Sequence, residues 1–310
     1  MKTTKRKCPK DILIHCYQNT LNGFLLFYSV KDYLIAFMII CITARRWDVH
    51  ILSLCLMPDH IHIVLTADSV RILSGFIRDY SKKLALEHNR TFGEKGQLFN
   101  HPFGSAPKYG PKKARTNLAY LGNNPIERQL CSKAEEYRWN FLAYASSDHP
   151  FSEKIIVRNA SYNMKRALAQ VNYMAGKHIP LSYTFLQRMF NSLDNKERNQ
   201  ITDHIITRYS VIDYQAAIRF FDSYDKMISA FHSNTGSEYD LNEVFTGRSD
   251  HWYSLITKLL LQKTNLHDIH EIFTFTDEKK FELLQMIMRE TDCPPAQICK
   301  YLHLKISTER

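Results

Sequence analysis

Two imidazoles stand one residue apart in Met57-Pro58-Asp59-His60-Ile61-His62-Ile63-Val64-Leu65, inside an apolar, β-branched run. Strand side chains alternate between faces, so His60 and His62 point one way while Ile61 and Ile63 point the other. Neutral imidazoles side by side on a rigid strand are half of a site for a divalent metal. With 14 histidines in 310 residues, chance supplies about 0.6 such pairs per chain, so alone the pair reads as hydrogen-bonded histidines on a half-buried strand. Further on, Tyr120-Leu-Gly-Asn-Asn124-Pro125 puts a phenol and a carboxamide four residues apart, on one face of a helix and its end. A tyrosine beside a metal can attack a phosphodiester: charge is drawn from the phosphate oxygens, the tyrosine oxygen bonds to phosphorus, and a 3′-hydroxyl leaves. The Asn124 carbonyl would serve as a third ligand beside His60 and His62, with waters and the phosphate filling the remaining positions.

The elements that must position these residues alternate in the first half. Ile12 to Tyr17 reads as a strand closed by the turn-prone Asn19 to Gly23. Phe24 to Tyr28 reads as a short strand or as an approach to the next helix, Val30 to Trp47, which Ser29 or Lys31-Asp32 would start. Val49 to Cys55 and His60 to Thr66 form a hairpin-like pair around Met57-Pro58-Asp59. Val70 to Asn89 is amphipathic, with Ile72, Phe76, Tyr80 and Leu84 four apart. Gln97 to Phe103 reads as an edge strand, and a third helix is expected from near Pro111 to about Gly122, ended by Asn123-Asn124-Pro125. Such an order predicts an α+β fold, a ferredoxin-like antiparallel sheet with helices on one face. Past residue 150 the pattern turns helical: 160–176, 181–191, 195–209, 214–232, 251–264 and 277–291. The predicted organisation is therefore 1–150 as the chemistry-bearing domain and 151–310 as an all-α accessory domain, with a boundary near 145–155.

The net charge of +10 is uneven. Residues 1–150 hold 21 Lys and Arg against 12 Asp and Glu, and residues 151–310 hold 20 against 19. The half with the histidine pair thus carries nearly all the excess, which points to a polyanion, nucleic acid before anionic membrane. Lys108, Lys112, Lys113 and Arg115 could clamp phosphates or solvate a loop. Tyr109 among them is a rival nucleophile, and with Phe99 and Phe103 could stack on unpaired bases or equally well pack in the core. Seven scattered cysteines without a Cys-x-x-Cys pair argue against a disulfide framework or zinc ribbon. The longest apolar run, Tyr33 to Ile42, is too short to span a bilayer, and no signal core follows the basic N-terminus. A cytoplasmic protein without a membrane partner is expected.

These residues bring the chain to a known family. It resembles the single-tyrosine HUH transposases, IS200-like, and within them the REP-associated tyrosine transposases, over about residues 10–148. The resemblance rests on Met57-Pro-Asp-His60-Ile-His62, Gly75-Phe-Ile-Arg-Asp-Tyr80, Gly96-Gln-Leu-Phe99, Tyr120-Leu-Gly-Asn-Asn124-Pro125 and Glu136-Tyr137-Arg138-Trp139-Asn140 in order, the last with Arg138 and Asn140 where the family has proline and serine. It implies an HUH endonuclease domain that nicks and rejoins single-stranded or hairpin DNA with Mg2+ or Mn2+. Tyr120 would form a 5′-phosphotyrosine, His60 and His62 would hold metal, and Asn124 stands where relatives carry a Gln or Asn ligand. A homodimer, with the tyrosine helix serving its own or a partner's metal, is left open.

Two readings compete. One is a non-catalytic DNA-hairpin-binding regulator derived from such a transposase; the other is a metal hydrolase using His-bound water. In the C-terminal half, 277–304 resembles the opening of a helix-turn-helix, its recognition helix cut short after Leu304. His267-Asp-Ile-His270 is expected at the surface rather than on a metal.

Overall fold

In the computed structural model, residues 6–233 and 249–305 are described. The sheet has four antiparallel strands, β1 (Leu13–Asn19), β2 (His50–Met57), β3 (His60–Thr66) and β4 (Gly104–Lys108), in the order β2-β3-β1-β4. With α1 (Val30–Trp47) between β1 and β2 and α2 (Val70–Phe92) between β3 and β4, the connectivity is the expected ferredoxin-like split βαβ. Both helices start where side chains satisfy orphan amides: Ser29 and Asp32 form a capping box, and the Ser69 hydroxyl accepts from Ile72 N–H. Each ends on a left-handed residue, Asp48 and Gly93.

Alternation sorts the central strands. Ile14 and Cys16 of β1 and Ile61, Ile63 and Leu65 of β3 face α1 and α2, forming a fully buried core with Phe37, Met38, Phe76 and Tyr80. Leu13 and Val64 face the other way, onto α3 (Gly110–Glu127). That second face is closed further by α7 (Tyr214–Ile218) and α8 (Tyr224–Ser233), so helices cover both sides of the sheet. The principal core also runs across residue 150. It takes in α4 (Tyr162–Gly176), α5 (Tyr183–Asn191) and α6 (Asn195–Tyr209), which pack outside α1. A separate apolar cluster joins α9 (His251–Lys263), α10 (Asp277–Glu290) and α11 (Pro295–Leu302) to Leu25, Tyr28 and Phe92 of the first half.

Several local expectations shift. The fourth strand is not 97–103: Phe99 makes only an isolated bridge to Thr20, and the ladder with β1 begins at Gly104. Pro107 is tolerated there because β4 is an edge. Segment 24–28 is the approach to α1, its Leu26 and Phe27 amides donating to Pro58 O. α3 does not stop at Gly122 but runs through Pro125 to Glu127. The helical geometry that proline disfavours in the preceding residue is held by burial, since Asn123, Asn124 and Pro125 are all buried. Gly122 meets the Phe231 ring, where an added Cβ would lie 2.5 Å from a ring carbon, and Asn123 donates to Phe231 O at 2.8 Å. His270 is buried, not at the surface, between Asp32 and Asp268. Of the 277–304 motif, α10 and α11 are present, but α11 docks on the first half: its Lys300 O accepts from Leu25 N–H, and its Tyr301 O accepts from the Tyr28 hydroxyl. The stretch 306–310 lies outside the described residues.

Candidate active site

The register of β1 against β3 pairs Tyr17 with His62 and Asn19 with His60. His15, Tyr17, His60 and His62 therefore share one face, the face on which α3 lies. From α3, Asn117, Tyr120 and Asn124 project toward them at successive turns. The Tyr120 ring centroid is 5.7 Å from that of His62 and 6.0 Å from that of His15; His60 and His62 are 4.8 Å apart. The residues singled out by sequence, His60, His62, Tyr120 and Asn124, are thus brought together within one chain, each 6% exposed or less.

Their hydrogen bonds leave specific atoms bare. Asn124 Nδ2 donates to the Tyr120 hydroxyl at 3.1 Å, and Asn124 Oδ1 is buried with no partner. His62 Nδ1 is 2.9 Å from His15 Nε2, while His62 Nε2 is buried with no partner. His60 Nδ1 is bound to Asp59 Oδ1 at 2.6 Å, which orients the ring in the manner of a carboxylate behind a metal-ligating histidine. A carbonyl oxygen and an imidazole nitrogen, both desolvated and unsatisfied, are costly unless a cation takes their lone pairs. The donor set fits a divalent ion, with room in its coordination for oxygen ligands from outside the protein. Among the described residues no three His, Cys, Asp or Glu side chains converge on a metal position.

Burial keeps His15 and His62 neutral. Burial holds His62 well below the ordinary histidine range, helped by the neighbouring His60 and His15, and holds His15 down to about 3. Burial would raise Asp59, but the hydrogen bond and charge of His60, with Lys300 and Arg128, bring it below the usual carboxylate range. Lys300 Nζ lies 3.2 Å from Asp59 Oδ2, and Arg128, one turn beyond Asn124, pairs with Asp250 at 3.7 Å. Asp250 is pushed up to about 6 by burial and by Asp59. The C-terminal helices therefore bring one cation and one carboxylate to the edge of the site.

Reading the sequence missed His15, Asn117, Asp59, Arg128, Asp250 and Lys300. His15 and Asn117 carried a usable periodicity: His15 is a polar residue on the second face of β1, and Asn117 precedes Tyr120 by one turn. Asp250 and Lys300 carried none, because only tertiary docking brings them near. Of the basic group, Lys112, Lys113 and Arg115 are exposed along the first turns of α3, Lys108 ends β4 half-buried, and Tyr109 is 52% exposed. Phe99 is buried and presents no free ring to a base, while half-buried Phe103 has Arg6 over its ring at 3.6 Å.

No helix among the described residues is long and apolar enough to cross a membrane. Comparison with curated proteins finds no match. A solved structure of a REP-associated tyrosine transposase bound to a REP hairpin is similar over 45% of this chain and 81% of that one, at 17% identity and a TM-score of 0.38. Residues 27–124 match the family model for IS200-like transposases, a span that opens just before α1 and closes on Asn124 itself. Over those residues the chain is similar to the IS200-like transposase family.

Proposed function

We propose that the protein nicks and rejoins single-stranded or hairpin DNA with Mg2+ or Mn2+, through a 5′-phosphotyrosine at Tyr120. The observation that carries this reading is the pair of buried atoms without partners, His62 Nε2 and Asn124 Oδ1, on side chains that adjoin Tyr120, the first by ring packing and the second by its bond to the hydroxyl. His60, His62 and Asn124 would hold the ion, which supplies charge withdrawal from the phosphate oxygens when bound. Asn124 Nδ2, donating to the phenol oxygen, favours the phenolate over the phenol as charge builds there. The Tyr120 oxygen forms the bond to phosphorus, the bond from phosphorus to the 3′-oxygen breaks, and the leaving oxygen takes a proton to become a free 3′-hydroxyl. Rejoining reverses the step with another 3′-hydroxyl as nucleophile. The exposed Lys112, Lys113 and Arg115 with Tyr109 lie about 8–17 Å along the α3 axis from Tyr120, a range suited to gripping DNA beside the scissile phosphate.

The test is to incubate a DNA hairpin carrying single-stranded flanks with protein and Mn2+, then look for a covalent adduct on a denaturing gel. Wild type gives the adduct and Tyr120→Phe does not. An adduct that survives Tyr120→Phe and disappears in Tyr109→Phe assigns the nucleophile to Tyr109. Binding without any adduct in wild type leaves the regulator reading in possession.

A further inference from the structure

His62 can offer its Nε2 lone pair to a cation only if its proton sits on Nδ1. A neutral imidazole carries one proton, and the bond made by the other nitrogen chooses which. Here the other nitrogen meets a second imidazole: His62 Nδ1 and His15 Nε2 are 2.9 Å apart, and His15 Nδ1 is in turn 3.3 Å from the Asn117 carboxamide. All three side chains are at most 3% exposed, so water cannot substitute for any link.

The chain of bonds has two self-consistent directions. If Asn117 Nδ2 donates to His15 Nδ1, then His15 Nε2–H donates to His62 Nδ1 and the His62 proton is forced onto Nε2. That arrangement leaves Asn117 Oδ1 buried without a partner. With the amide turned over, a choice that heavy-atom positions do not distinguish, Asn117 Oδ1 accepts from His15 Nδ1–H. His15 Nε2 then accepts from His62 Nδ1–H, and His62 Nε2 is a bare lone pair on a ring packed against those of Tyr120 and His60. The second direction pairs Asn117 Oδ1 and leaves Nδ2 at the unpaired position instead, so the amide has one bare atom either way; what distinguishes this direction is that it gives His62 the tautomer a ligand needs.

We infer that Asn117 and His15 are positioning residues, a relay from α3 through β1 that fixes His62 as the Nδ1–H tautomer and so makes its Nε2 a metal ligand. The inference rests on the proposed reading of His62 as a ligand. It also ties the tyrosine helix to the metal strand: the helix that presents Tyr120 also sets the protonation geometry of the histidine opposite.

The experiment measures Mn2+ affinity by calorimetry for wild type, His62→Ala, His15→Leu, His15→Gln and Asn117→Leu. It also records the histidine 15N tautomer pattern of the metal-free proteins. Gln places an amide oxygen about where Nε2 of His15 stands, so it keeps an acceptor for His62 Nδ1–H. Expected are a drop of about tenfold or more for His15→Leu, of the size seen when an outer-shell partner is lost, recovery to within a few-fold for His15→Gln, and a smaller drop for Asn117→Leu. Wild type should show His62 protonated at Nδ1, and His15→Leu should show a tautomer mixture. If His15→Leu fails to fold, Asn117→Leu and the wild-type tautomer decide the matter. Wild-type affinity in the folded leucine variants, or an Nε2–H tautomer at His62 in wild type, overturns the relay. Should His62→Ala bind Mn2+ like wild type, the ligand reading falls and the relay with it, a result distinct from loss in His62→Ala alone.

Discussion

His270 should make the protein's stability fall with rising pH in a window where few other groups titrate. Its Nε2 lies 2.9 Å from Asp32 Oδ2, and its Nδ1 is bound to Asp268 Oδ1 and faces the Tyr183 hydroxyl at 2.9 Å. Phe92 stacks on the ring at 4.5 Å, and Lys31 completes the cluster by pairing with Asp268 at 2.9 Å. Burial alone would lower the imidazole, but the carboxylates of Asp32 and Asp268 overcome it and raise it from 6.5 to about 9. With the side chain 4% exposed, solvent screening is slight. A raised folded-state value means that the contribution is complete below about pH 6.5 and is lost as pH climbs through about 9. Its ceiling is about 3 kcal/mol, from about 1.4 kcal/mol per unit. Between pH 7 and 8 the folded chain keeps on His270 a proton that the unfolded chain has mostly released, so the His270 contribution to the unfolding free energy should fall by about 1.2 kcal/mol per pH unit. Buried thiols such as Cys16 and Cys41, pushed up to about 12 for Cys41 and further for Cys16, add a similar slope only above about pH 8.5, where unfolded thiols ionise. Urea unfolding of wild type and His270→Gln from pH 6.5 to 9.5 isolates the histidine, since the variant keeps the thiol slope. Parallel stability curves for the two proteins between pH 7 and 8 would refute the reasoning. Because His270 joins α1 to the α9–α11 cluster, the same titration should loosen the C-terminal helices first, seen as faster amide exchange there at high pH.

Three further outcomes follow from particular contacts. A Cβ on Gly104 would fall 2.0 Å from the Tyr17 ring; Gly104→Ala should cost about 1–3 kcal/mol by overpacking, and an unchanged melting temperature would contradict the close approach. Asn140 Nδ2 donates to Ala134 O at 2.6 Å and to Gly122 O at 3.3 Å, and its Oδ1 accepts from Leu142 N–H at 3.0 Å. Asn140→Ala, which strips these buried groups of partners, should destabilise by about 2–3 kcal/mol in thermal unfolding. Replacing Lys112, Lys113 and Arg115 by Gln should lower the salt dependence of hairpin-DNA binding by about 0.9 in slope per phosphate contact removed, read from binding isotherms across salt; an unchanged slope would return these side chains to plain solvation.

How much of this was legible beforehand depends on the range of the interaction that decides each feature. Period-two alternation put His60 and His62 on one face, and the four-residue spacing put Tyr120 and Asn124 on one face; both are local geometry, and both hold. The alternation of strands with α1 and α2 was legible because local chemistry bounds those helices, Ser29 with Asp32, Ser69 and Gly93, while the last strand lies at Gly104–Lys108 and not at 97–103. Local chemistry misled where packing outweighed it. Asn123-Asn124-Pro125 has every mark of a helix end, yet α3 continues because Gly122 and Asn123 are held against Phe231. Had the helix ended at Gly122, Asn124 would leave the face of Tyr120, and its bond to the phenol would be lost. The override is therefore what builds the site. His270 was read as a surface residue because the carboxylate that buries it, Asp32, is remote in sequence. Lys300 and Asp250 reach the site by the same kind of long-range docking. The residues that carry the chemistry lie on the most regular elements, where spacing predicts direction. Those that tune it come from whichever element packs alongside, and spacing says nothing about which one that is.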